Sequence, residues 1–103
     1  MISVLVVTDS GRHEPLPPVD PSVEVLHAGG LEEALEKLGR NRRIDAVLLL
    51  AGRHNASIAA AIREDNPAPP PIFSVEPDTP RGTRGLPPGS AADCVNRLIL
   101  EIS

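Results

Sequence analysis

A chain of 103 residues with 41% apolar and 23% charged side chains holds material for one hydrophobic core, and it is too apolar for an intrinsically disordered segment, so a single domain over residues 1–103 is expected. Its 14 acidic residues outweigh 10 Lys and Arg, and Phe73 is its only aromatic, so it has neither the basic footprint nor the stacking platform of a nucleic-acid module. A lone cysteine, Cys94, excludes an internal disulfide and a CxxC metal site, and no apolar run approaches the roughly 18 residues of a membrane span.

The stretch from Ile2 to Asp9 (ISVLVVTD) is a nearly continuous, β-branched apolar run closed by Asp9-Ser10-Gly11, the pattern of a strand buried on both faces. It lacks a basic leader and is too short for a signal-peptide core, which fits a chain of the reducing cytoplasm. Residues 12–22 carry Pro15, Pro17, Pro18 and Pro21, a density that forbids a regular helix and predicts a loop crossover. Val23 to His27 reads as a second strand, stopped by Ala28-Gly29-Gly30. The glycine pair suits a strand-to-helix turn with positive φ; it could also cradle an anion at a helix N-terminus, although the full glycine fingerprints are absent.

Leu31, Ala34, Leu35 and Leu38 then fall at i, i+3, i+4 and i+7 and predict an amphipathic helix with Glu32, Glu33, Glu36 and Lys37 on its other face. Acids stand early in it, Arg40, Arg42 and Arg43 stand late as the helix dipole prefers, and Gly39 marks its end. Ile44 to Ala51 (IDAVLLLA) is the most apolar stretch and predicts a central strand. Asn55 is the expected N-cap of a short alanine-rich helix with Ile58, Ala61 and Ile62 on one face, ending at Asp65-Asn66 before Pro67. Pro69-Pro70-Pro71 leads into a fourth strand, Ile72 to Val75. Residues 76–89 hold four prolines and three glycines and predict a loop, with at most a two- or three-residue strand around Gly85-Leu86. Finally Ser90 caps and Asp93 sits at N3 of a C-terminal helix whose stripe is Val95, Leu98, Ile99 and Ile102.

This order predicts an α/β three-layer sandwich of flavodoxin-like form. The sheet is mostly parallel, of four to five strands in the order 2-1-3-4(-5), with about three helices. Proline-rich loops replace the first and fourth helices.

In order and register these segments resemble the receiver domain of bacterial two-component response regulators, from Ile2 to about Ser103. ISVLVVTD looks like the receiver's first strand with its terminal acid pair, and Asp45 to Leu50 (DAVLLL) like its third strand. Pro71 to Glu76 (PIFSVE) looks like the fourth, and Leu86 to Ile102 like the end of the fifth strand running into the last helix. The resemblance implies carboxylates at the C-terminal edge of the sheet that hold Mg²⁺, an aspartate that accepts a phosphoryl group, and a hydroxyl and a lysine that read it. In this chain the first acid of the pair is Thr8, leaving Asp9 alone. The acceptor position falls on Leu50, and the hydroxyl position on Glu76 or, if the strand slips by two, on Ser74. The lysine position falls on Pro87, and Lys37, the only lysine, lies elsewhere. Leucine cannot be phosphorylated.

The implied function is that of a pseudo-receiver, a signalling or regulatory protein-interaction module that neither catalyses nor accepts phosphate and needs no cofactor. Its partner would be a protein of a signalling system or a second copy of the chain. An alternative gathers Asp9, His27, His54 and Glu76 at the C-terminal rim as a small ligand or divalent-metal site, since imidazole and carboxylate suit such ions. Polar residues also collect at strand ends because loops are solvated, and no HxH or HExxH spacing fixes two ligands on one element. Cys94 in a first helical turn has a reading as a nucleophile, against the usual role of a free cysteine as a small buried hydrophobe.

Overall fold

The computed structural model describes residues 2–8, 23–40, 43–50, 54–66, 69–75, 83–87, 89 and 91–102. The chain runs β1 (Ile2–Thr8), β2 (Val23–Ala28), α1 (Leu31–Arg40), β3 (Ala46–Leu50), α2 (Asn55–Asp65), β4 (Ile72–Val75), β5 (Arg84–Leu86) and α3 (Ala91–Ile102). The five strands form one all-parallel sheet in the order β2-β1-β3-β4-β5, a flavodoxin-like arrangement. The expected fifth strand is real and three residues long. The loop expected over 12–22 and the first part, 76–82, of the loop expected over 76–89 lie outside the described residues.

Alternation along the strands splits the core in two. Leu5, Val7, Val47, Leu49 and Ile72 point to one side, where they pack with Ala34 and Leu38 of α1 and Ile58, Ala59 and Ile62 of α2. Val4, Val6, Ala46, Leu48 and Phe73 point to the other, where Cys94, Val95 and Leu98 of α3 cover them. The sheet is therefore a middle layer with helices on both faces, as continuous apolar strands require. Beyond Ile72 on the α1/α2 side, the sheet offers Ser74 paired with Gly85 instead of large apolar side chains, so little apolar surface remains there for a further helix to bury.

Local chemistry sets the element boundaries. Gly30 takes φ +157°, the positive-φ turn expected of the glycine pair, and its carbonyl accepts the Ala34 N–H at 3.0 Å. The helix then runs one residue past Gly39 to Arg40, whose guanidinium lies 3.0 Å from Glu36. The third strand is shorter at its start than the apolar run suggested. Asp45 precedes it, donating its N–H to the Ser3 carbonyl and accepting the Ser3 N–H on its carboxylate, both at 2.8 Å, so a side chain closes the end of the ladder.

The cap expected at Asn55 is one residue out. His54 holds the N-cap position without a side-chain cap bond, and Asn55 is the first helical residue, 2% exposed beneath the helix. At the other end Asn66 turns extended, as a residue before proline must, and both its N–H (3.1 Å) and its Nδ2 (2.9 Å) donate to the Ile62 carbonyl.

Leu48 sits on the central strand with no exposed surface. Leu48→Ala is expected to lower unfolding stability by about 2–5 kcal/mol, read as a drop in the urea midpoint at unchanged slope.

Candidate functional site

In an all-parallel sheet every strand ends at the same edge, and in open α/β sheets that edge is where ligands bind. The described rim consists of Thr8, Ala28, Leu50, Val75 and Leu86. Thr8 pairs directly with Leu50, and Val7 with Ala28. Thr8 follows Val4 and Val6 in phase, and Leu50 packs in the α3-side cluster, so the two stand side by side on that face. The Thr8 hydroxyl donates to the Ala28 carbonyl at 3.4 Å, and Leu50 offers only hydrocarbon.

Ser74, the second candidate for the hydroxyl position, lies between Phe73 and Val75, both in the α3-side cluster, and pairs with Leu49 of the opposite cluster. It therefore faces the α1/α2 side, across the sheet from Thr8 and Leu50. Its Oγ is fully buried and lies 3.1 Å from Oγ1 of Thr83, a hydroxyl pair that ties the entry of β5 to β4. Pro87 is exposed one residue past β5. Asp9 and Glu76 lie outside the described residues.

The two described histidines of the alternative rim site occupy different settings. His27 is half-buried within β2, opposite Val6 and in phase with Val23 and Val25 on the α3 side, whereas His54 is exposed at the start of α2. Among the described residues, no three of His, Cys, Asp and Glu are grouped so that they could hold a metal ion. Asp45, the remaining carboxylate of the third apolar run, stands at the opposite edge of the sheet. Leu50 at the rim stands five positions further along the chain, about 16 Å at the rise of a strand.

The turn between β2 and α1 is closed by its own charges. Glu33 accepts the Gly29 N–H at 3.0 Å, in the position an anion would take at this helix start, and its other oxygen lies 3.8 Å from the Lys37 ammonium. Lys37 in turn donates to the His27 carbonyl. The sole lysine thus anchors α1 to the end of β2. Of the arginine cluster, Arg40 pairs with Glu36, Arg43 is exposed, and Arg42 lies outside the described residues.

Cys94 is buried against the sheet, 2% exposed. Burial, with a smaller contribution from the Asp93 carboxylate, raises its thiol above the ordinary range, the opposite of what an activated nucleophile needs.

Two features escaped the sequence reading. Thr83 lies in a proline- and glycine-rich stretch that carries no periodic signal. Leu100 falls off the buried stripe of α3 and is 72% exposed; its phase against Leu98 and Ile102 was the available clue. Leu100 borders a shallow groove of about 350 Å³, shared with Pro87, Gly89, Asp93, Asn96 and Arg97.

Compared with known protein families, with curated proteins and with solved structures, the chain matches none.

Two outcomes follow from this geometry. Ser74→Ala and Thr83→Ala should each cost about 1 kcal/mol, and the double variant clearly less than their sum, in a double-mutant cycle read by urea unfolding. The Cys94 thiol should resist a disulfide reagent until the chain unfolds. Because its folded pKa is raised, the unfolded state loses its proton first, so this group's contribution to stability should fall as pH rises through the ordinary thiol range. Unfolding curves of the chain and of Cys94→Ala, compared across that range, measure the effect.

Proposed function

We propose that the chain is a non-catalytic, receiver-like module that works by presenting a surface to another protein. The observation that carries this reading is the pairing of Leu50 with Thr8 at the C-terminal end of β3. A phosphoryl acceptor needs an oxygen nucleophile there, and leucine has none. Binding Mg²⁺ needs several oxygen ligands, preferably carboxylates, and the described end of β1 supplies one neutral hydroxyl already directed at the Ala28 carbonyl. A lysine to read a new phosphate has no counterpart at Pro87, and Lys37 is committed to the β2–α1 turn.

Without a covalent switch, what remains is shape. The exposed ends of α3 and β5 form a surface with an apolar element, Leu100, beside a groove. A single cysteine, kept as a free thiol, fits a place in the reducing cytoplasm.

Amide NMR spectra recorded with Mg²⁺ and either beryllofluoride or acetyl phosphate test the reading. No saturable shift is expected. Shifts that saturate and cluster around Thr8 and Leu50 would overturn it.

A further inference from the structure

The outer side of α3 carries a pattern the fold does not use. Leu98 is buried against the sheet, whereas Leu100, Arg97 and Glu101 are exposed. At 3.6 residues per turn, Arg97 and Glu101 lie about 60° and 100° round the helix from Leu100 in the same sense, so both charges flank one side of the leucine. Among the described residues no ion pair within the chain engages either of them; the two described pairs both lie on α1. An Arg placed four residues ahead of a Glu is also the less favourable order for pairing along a helix.

We infer that this face binds a second copy of the chain, two α3 helices packing antiparallel about a two-fold axis near Ile99. This inference rests on the reading of the chain as an interaction module. A two-fold contact is isologous, so the same flank of each helix meets its copy. With the axis near Ile99, Leu100 meets Leu100 of the other copy, Arg97 faces Glu101 across the contact, and Glu101 faces Arg97. The surface is thus its own electrostatic complement: one apolar contact at the centre, two identical ion pairs outside it. With the axis there, residues 96–102 of the two helices overlap, so Arg97, Leu100 and Glu101 carry the contact.

The size of the face sets the strength. Helix α3 has 12 residues and is about 18 Å long, and one helix face of that length supplies less than the about 800 Å² per partner of a stable complex. The dimer is therefore weak and reversible, populated at high protein concentration and sensitive to salt.

Sedimentation equilibrium of the full chain at low salt, from about 10 µM to about 1 mM, reads it directly. The chain should move from monomer to dimer across that range. Leu100→Glu should stay monomeric. Arg97→Glu, which sets like charges face to face twice, should weaken dimerisation about tenfold or more, and Arg97→Glu combined with Glu101→Arg should restore it to within about threefold of the parent. All three sites are exposed, and circular dichroism with a melting curve verifies that each variant folds. A chain that remains monomeric throughout, an Arg97→Glu variant that dimerises like the parent, or a charge swap that fails to restore association would each overturn the proposal. The beryllofluoride experiment separates the two readings: a monomer silent to beryllofluoride overturns the second copy alone, whereas a beryllofluoride response overturns the non-catalytic reading whatever the chain's mass.

Discussion

The rest of the structure depends on the burial of β1 and β3 on both faces. Val4 to Val7 and Ala46 to Leu49 are at most 1% exposed, so neither strand has a solvent side. A strand of this kind can exist only as a middle layer, and that requirement brings α1 and α2 to one face and α3 to the other. It also confines chemistry. A charge inside either strand would be buried without a partner at prohibitive cost, so reactive groups can stand only where the strands emerge. At the end that matters, β1 and β3 emerge at Thr8 and Leu50. The functional reading therefore rests on strand register, because a shift of one residue would turn every side chain to the other face.

How much of this was legible follows from the same constraint. Apolar runs bounded by glycine, proline and charge located four of the strands, the fifth, Arg84–Leu86, being legible only as a short strand allowed around Gly85-Leu86, and the 3.6-residue stripes of α1 and α3 located their buried sides. The order of the sheet followed from the alternation of elements. What periodicity could not resolve was facing. In a strand buried on both sides every position is apolar or small, so Ile72-Phe73-Ser74-Val75 does not say whether Ser74 looks toward Thr8 or away. Only its pairing with Leu49 decides that, and it separates two residues that the sequence had considered for one pocket. The misplaced cap has a related cause. Asparagine is a good cap by propensity, but Asn55 is buried as the first residue of α2, and the flanking His54 takes the cap position without a side-chain bond.

The described polar side chains Thr8, Glu33, Lys37, Asp45, Ser74 and Thr83 serve the chain itself. Glu33 and Lys37 close the β2–α1 turn, Thr8 reaches the end of β2, Asp45 completes the start of β3, and Ser74 with Thr83 fixes β5. Each satisfies a backbone group or hydroxyl that the short strands and tight connections would otherwise leave without its ladder partner. These residue types are the ones from which a binding site is built, which is why the sequence alone suggested sites at the rim. The difference lies in convergence. A site aims several groups at one point in space, whereas these are spread over both faces and both edges of the sheet, each turned inward to a neighbour.

On the proposed reading, a domain built this way differs physically from a switch. A ligand or partner shifts a conformational equilibrium only by as much as its affinity differs between the two conformations. A phosphorylatable receiver creates that difference by adding charge in its cleft. Here the end of β3 is hydrocarbon, and the helix that faces outward, α3, is fixed to the sheet by Cys94, Val95 and Leu98, none more than 2% exposed. Its outer face is consequently held in one place by the same residues that close the core, and a close-packed core does not deform gradually. Binding at that face, on the reading developed above, adds mass and proximity to an assembly, and its control comes from concentration and not from chemistry within the domain.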